Sequence, residues 1–338
     1  MVALSEILSF NAQIRSSFPP GPVALFVGAT SGIGAATLKA FAKYTVKPKA
    51  YFVGRSQEAA DAIIAECQSL NPEGQYIFIA ADVSLIKVVD EVCAQIQARE
   101  PYLNILFLSQ GVARFDRPVT AENLHLVASL AHYSRIRFIT RLLPLLQAAP
   151  DHRRVVTVGG GGSEGPIDPS DFPGLHIPLE QFRGHLITLI TLGLEAVAKG
   201  APDVSFIHDY PGAVDTPLTQ TVLSVMNKNA ALVGGPVPDL ITADESGERQ
   251  VYLLTSPRYP AAVHEDNTVS TGSTLGDSEI VVGTDGKLGS GVYSIGFGGE
   301  SASPETLEFL SKQRREGMLE RVWKHTEDEF ERITGEKA

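Results

Sequence analysis

Residues 23–44 read VALFVGATSGIGAATLKAFAKY, and this stretch decides the fold. Its opening five residues, Val23 to Val27, are all apolar and stop at Gly28. A short continuous apolar run with a glycine boundary suits a parallel strand buried on both faces. Residues 32–44 then read as a helix. Between them lies Gly28-Ala29-Thr30-Ser31-Gly32-Ile33-Gly34, whose glycines occupy relative positions 1, 5 and 7. Glycines so spaced permit a tight turn, close approach of backbone to a pyrophosphate, and close packing of helix against strand. Phosphates would face the unpaired N–H groups of a helix N-terminus, where the dipole also favours negative charge. The strand–turn–helix context is what such a glycine trio needs to signify dinucleotide binding.

Working outward, the same alternation repeats. Residues 50–53, 76–79, 103–108, 155–158 and 204–208 read as further strands. Ser56 is placed to cap a helix carrying Ala60, Ile63, Ile64 and Cys67 on one face. Helical patterns cover residues 84–98, 120–146, 180–199 and 243–255, the last with Asp244 and Glu245 near its start. Parallel strands need crossovers, and here the crossovers are helices. The expected fold is therefore α/β, a doubly wound parallel sheet (Rossmann fold) with helices on both faces. The chain divides as one domain: an N-terminal helical lead (1–21), a dinucleotide-binding core (22–216), a substrate-covering segment with edge loops (217–303) and a C-terminal helix (304–338). Residues 256–301, rich in Gly, Ser and Thr, read as loops around one sheet edge.

Composition narrows the function. A net charge of -11 leaves no broad basic surface for a phosphate backbone, so no nucleic-acid partner is expected. A hydrophobic content of 43% with 20% charged residues describes an ordinary globular core. Cys67 and Cys93 match no metal spacing and read as buried thiols in a reducing compartment, so no metal site is expected. The first 18 residues lack a basic leader and an unbroken apolar span, which points to a cytoplasmic protein without membrane attachment.

The glycine turn is similar to the Thr-Gly-x-x-x-Gly-x-Gly signature of the short-chain dehydrogenase/reductase family, with Val27 in the place of threonine. Other landmarks follow in the family's order. Asp82-Val83 ends the third strand, where the resemblance implies contact with adenine. Gly111 follows the fourth strand, although Ser109-Gln110-Gly111 replaces Asn-Asn-Ala-Gly. Pro211-Gly212-Ala213-Val214-Asp215-Thr216 follows the sixth, where the family holds the carboxamide end of nicotinamide. The resemblance is good over residues 22–216. It implies a cofactor site formed by Gly28, Thr30, Ser31, Gly32, Ile33, Gly34, Arg55, Ser56, Asp82, Val83, Gly111, Pro211, Gly212, Val214 and Thr216. At the end of the second strand an NAD site would place an acid, whereas Arg55 suits a 2′-phosphate. NADP(H) is the expected cofactor.

The catalytic half departs from the family. Aligned by its landmarks, the asparagine slot falls near Ala131, the serine slot near Gly160, and the tyrosine and lysine slots near Phe182 and Leu186. No Tyr-x-x-x-Lys occurs on that helix, and a phenyl ring cannot donate a proton. Candidate replacements are His185, which lies about 60° round the helix from Phe182, Arg183 as an oxyanion partner, and Tyr133 with its neighbour His132. Ser163, Glu164, Asp209 and Tyr210 also fall at strand ends, where ligands of open α/β sheets bind. The run Gly159–Gly162 either opens space for a bulky substrate or forms a mobile loop.

Three functions remain open. The first is an atypical reductase of activated C=C, C=N or C=O bonds in a small hydrophobic secondary metabolite, as in similar proteins of fungal secondary metabolism. The second is a cyclase, isomerase or dehydratase working by orientation and placed dipoles. The third is a noncatalytic dinucleotide-binding protein. A homodimer through paired helices is one option; the C-terminal elaboration could instead cap that surface.

Overall fold

In the computed structural model, which describes residues 1–228, 239–262 and 279–338, strands and helices alternate after a leading helix α1 (Leu4–Ser17). The first half holds β1 (Val23–Val27), α2 (Gly32–Tyr44), β2 (Lys49–Gly54), α3 (Gln57–Leu70), β3 (Gln75–Ala80), α4 (Ile86–Gln97) and β4 (Ile105–Leu108). The second holds α5 (Leu126–Ala128), a π-helical turn (Ser129–Tyr133), α6 (Ser134–Ala148), β5 (Arg154–Val158), α7 (Leu179–Ala198) and β6 (Ser205–Asp209). α8 (Pro217–Lys228), α9 (Ala243–Thr255), β7 (Val292–Ile295), α10 (Pro304–Arg315) and α11 (Met318–Thr334) complete the chain.

The sheet is parallel throughout, in the order β3-β2-β1-β4-β5-β6-β7. Strand alternation divides its side chains between two cores. Leu25, Leu106, Val155 and Phe206 enter a core with α4, α6, α7 and α11. Phe26, Phe107, Val156 and Ile207 enter the other, with α1, α2, α3 and α9. Both faces are covered, so the doubly wound α/β expectation holds. The order reverses between β1 and β4, and at such a point open α/β sheets bind ligands beyond the carboxyl ends of their strands.

Three expectations change. Residues 256–301 are not only edge loops, because Val292–Ile295 form β7, paired with β6 and fully buried. A strand of four residues between Gly291 and Gly296 is too short to stand out from a glycine-rich background. The C-terminal helix is two helices, broken where Gly317 takes a left-handed φ of 72°. The stretch 120–146 starts its helix only at Leu126; before it Asn123 turns with φ 61°, and Thr120 Oγ1 accepts from the Leu124 N–H.

α11 packs on α7 and α4. Its anchor is Arg137 of α6, fully buried, whose guanidinium forms a two-point ion pair with Asp90 of α4. The same group donates to the Lys337 carbonyl and lies 5.1 Å from the Phe330 ring. A homodimer would have to form elsewhere than on the faces of α4 and α7 that α11 covers.

Candidate cofactor and catalytic site

The turn after β1 is packed so closely that its glycines are dictated by contact. A Cβ on Gly34 would lie 2.4 Å from the Gly28 carbonyl oxygen and 2.8 Å from Ala29 Cα. One on Gly28, whose φ is 81°, would lie 2.6 Å from the Gln110 backbone nitrogen at the end of β4. β1, β4 and α2 thus converge with only the Ser109 hydroxyl between them, which donates to the Val27 carbonyl. Ser31 stands at the N-cap of α2 with no side-chain cap bond, so the first turn of α2, Gly32 to Gly34, faces outward uncapped. That is the geometry a pyrophosphate needs: uncapped N–H donors, a favourable dipole, and no Cβ in the way.

Around this cradle, Thr30 packs over Gly54 at the end of β2. Arg55 follows, exposed, with no ion pair or hydrogen bond among the described residues. Ser56 uses its Oγ to cap α3 through the Ala59 N–H. Asp82 is exposed and accepts from the Ser84 N–H, while Val83 beside it is buried. Gly111 faces Leu218 of α8. The segment from Pro211 to Thr216 is held by a two-way exchange with Ile241: the Asp215 N–H donates to its carbonyl, and its own N–H donates to Ala213. Val214 is buried, and Thr216 Oγ1 accepts from the Thr219 N–H at the start of α8. The predicted cofactor residues therefore follow the carboxyl ends of β1, β2, β3, β4 and β6.

The glycine run after β5 is explained by neither reading offered for it. A Cβ on Gly159 would lie 2.5 Å from His208 Nε2, and one on Gly161 at 2.2 Å from the His208 carbonyl oxygen. In the serine slot, a Cβ on Gly160 would meet Ile187 Cδ1 at 2.4 Å. Gly161 is held as glycine by the backbone of β6 and β7, Gly162 by its left-handed φ of 81°, while Gly159 and Gly160 lie against the side chains of His208 and Ile187. His208 is fixed in turn: Nε2 accepts from the Gly160 N–H, and Nδ1 contacts Thr191 Oγ1 at 2.9 Å. Thr191 and Ser294 donate to Glu164 Oε1, and burial raises the Glu164 pKa. Ser163 lies at the bend, its N–H bonded to the Gly160 carbonyl.

The other slots also turn away from chemistry. Phe182 packs edge-on against His125 at 4.9 Å and lies under the Arg117 guanidinium. Leu186 is in the core, and Ala131 belongs to the π-helical turn. His185 is fully buried; its Nδ1 accepts from the Asp168 N–H and its Nε2 donates to the Phe172 carbonyl. Both ring nitrogens are consumed in holding the loop between β5 and α7, so the ring has none to offer a substrate. Tyr133 and His132 point to α11, where they meet His325 at 2.7 Å and Thr326 at 2.9 Å. Neither faces the carboxyl edge of the sheet.

Arg183 does. Its guanidinium lies 3.4 Å from the Gly160 Cβ position and 5.7 Å from the Tyr210 ring, with no ion pair or hydrogen bond among the described residues. Asp209, one residue earlier at the end of β6, points to the opposite face and accepts from Gln250 of α9, its pKa pushed up to about 7 by burial. Arg135 is a group that sequence reasoning missed. It reaches from α6 to the ends of two strands, donating to Thr157 Oγ1 and the Val158 carbonyl at 2.5 Å and to the Gln110 carbonyl at 2.7 Å. Nothing in a helical pattern marks which arginine of α6 will reach the ends of the strands.

Comparison with known proteins gives the family. A short chain dehydrogenase family model matches residues 22–161. The chain is 38% identical over 332 residues to Oxidoreductase AN1596 of Emericella nidulans, covering 97% of each. It is 31% identical to Short-chain dehydrogenase/reductase SAT2 of Stachybotrys chartarum, with 90% of each chain covered. The chain belongs to the short-chain dehydrogenase/reductase family. Among solved structures, YwfH, an NADPH dependent reductase involved in bacilysin biosynthesis, superposes with a TM-score of 0.54 at 19% identity, over 70% of this chain and 92% of that one. At that identity the likeness is one of fold. No helix among the described residues is long and apolar enough to cross a membrane.

His125, His132, His185 and His208 are buried. Burial holds His132, His152 and His208 down at about 3, from an ordinary 6.5. The unfolded chain takes up those protons near 6.5 and the native one does not, so stability is full above that pH and is lost below it. Asp209 acts oppositely, since its raised pKa stabilises the fold as pH falls below about 7. Burial also lowers His125, His185 and His325 and raises Glu164 and Glu195, so with six histidines against three carboxyls the thermal midpoint should fall from pH 7.5 to pH 5.0. A flat or rising profile by differential scanning calorimetry would contradict the buried neutral assignment.

Proposed function

We propose that this chain is an NADP(H)-dependent reductase acting on an activated C=C, C=N or C=O bond of a small hydrophobic metabolite, without the usual Ser and Tyr/Lys groups. One observation carries the reading: an uncapped glycine turn suited to a pyrophosphate stands on the same sheet edge as a serine slot filled by Gly160, next to which the Arg183 guanidinium has no ion pair or hydrogen bond among the described residues. NADPH, when bound, supplies a hydride. Arg183 holds and polarises an oxygen of the substrate, in the manner of a fixed electrostatic partner for developing charge. Leu218, Phe115 and Val119, each more than 40% exposed at the carboxyl edge, give it an apolar rim. The relatives named oxidoreductases support the redox reading over a cyclase or isomerase on the same scaffold.

Arg55 is proposed to bind the 2′-phosphate. Arg55→Ala should weaken NADPH by about tenfold or more, the scale of one charge-assisted contact, and leave NADH within about twofold. Calorimetric titration with both nucleotides checks this, and an equal loss for each would remove Arg55 from the site. Absence of binding by any dinucleotide would transfer the first place to a non-redox reaction.

A further inference from the structure

We infer that Arg135 makes this site select the reduced over the oxidised nicotinamide, an inference that rests on the dinucleotide reading above. Arg135 is 5% exposed, and its guanidinium bonds are to neutral acceptors: the carbonyls of Leu130, Gln110 and Val158 and the Thr157 hydroxyl. No ion pair reaches it among the described residues. A buried cation without a carboxylate partner costs several kilocalories of desolvation and is retained only where other groups hold it. Here those groups are the carboxyl ends of β4 and β5. In a doubly wound sheet of this order the adenosine half lies over β1, β2 and β3, and the nicotinamide half over β4, β5 and β6.

The surrounding charges do not cancel it. Asp209 is the carboxyl whose charge reaches Arg135; it bonds to Gln250 on the opposite face, and burial pushes its pKa up to about 7, so below that pH it is mostly neutral. His208, close to Arg135, is kept neutral by burial and by the charges of Arg135 and Arg183. Arg135 itself stays protonated at neutral pH, burial bringing it only to about 10. Below pH 7 two guanidiniums therefore flank the end of β5 with little negative charge between them. The oxidised nicotinamide carries a positive charge at this edge and the reduced ring carries none. A fixed cation repels the first and is indifferent to the second.

The test is the ratio of two dissociation constants, measured by calorimetry with NADPH and NADP+ at pH 6.0, below the pKa of Asp209. The wild type should bind NADPH about tenfold or more tightly than NADP+, as a charge pair several ångströms apart at moderate dielectric implies. Arg135→Met should bring the ratio to within about threefold by tightening NADP+, and Arg135→Lys should keep the preference. A merely structural role would move both affinities together and leave the ratio alone; that result overturns the inference, as does equal binding of the two forms by the wild type. If the Met variant fails to fold, Arg135→Gln, which retains a donor for one carbonyl, is read by the same criterion. Failure to bind either form overturns the cofactor reading itself, whereas binding without preference overturns only the role of Arg135.

Discussion

Gly34→Val is expected to abolish measurable dinucleotide binding, weakening NADPH by more than about 100-fold, which corresponds to ~2.7 kcal/mol. The first carbon of the new side chain would lie 2.4 Å from the Gly28 carbonyl oxygen and 2.6 Å from Ser109 Oγ. The carbonyl belongs to the turn, so relief requires α2 to move off β1. Overpacking of this kind costs ~1–3 kcal/mol in a well-packed region. The displacement also carries the uncapped N–H groups of Gly32 to Gly34 away from where a pyrophosphate is held. The thermal midpoint should drop by several degrees while circular dichroism still reports an α/β fold. Calorimetry with NADPH is the check; micromolar binding by this variant would mean that the phosphates lie elsewhere.

Arg137→Ala should produce the largest loss of stability, about 3–5 kcal/mol, as when one partner of a buried ion pair is removed. The side chain is fully buried and ties three helices: Asp90 on α4, its own α6, and the end of α11 through Thr334 and the Lys337 carbonyl. Without it, Asp90 keeps only the longer contact to Arg141, at 3.6 Å, and Phe330 loses the guanidinium over its ring. Chemical denaturation should show a lower midpoint, and limited proteolysis should release a fragment from α11 first. Dinucleotide affinity should change little, because the pair lies on the helix-covered face and not at the carboxyl edge. A midpoint within about 1 kcal/mol of the wild type would show that α11 is held by its apolar face alone.

How much of this was legible in the sequence follows from what each feature depends on. The run Val23 to Val27, the glycines at 28, 32 and 34 and the alternation of strands with helices are local patterns. Parallel strands must be apolar throughout, and a turn against a phosphate must lack Cβ atoms, so both leave their mark in consecutive residues. The absence of Tyr-x-x-x-Lys was equally plain, because a missing side chain needs no coordinates to be missed. Arg55 and the residues from Pro211 to Thr216 were placed by counting from strand ends.

The tertiary structure decided what depends on contact between distant segments. β7 became a strand through pairing with β6, four residues whose own preference is lost among glycines. His185 had the right helical phase to replace a tyrosine, but phase does not say what covers a ring. The loop at Asp168 and Phe172 takes both its nitrogens. The glycines after β5 looked like open space and are instead the imprint of His208 and Ile187, residues 48 and 27 positions further along the chain. Arg135 and Arg137 are two positions apart on one helix; the first was drawn to the ends of β4 and β5 and the second to Asp90. A sequence fixes which groups are available and at what spacing on their own element. Which of them are desolvated, and by whom, is set only when the elements pack, and desolvation is what decides the chemistry of a charged group.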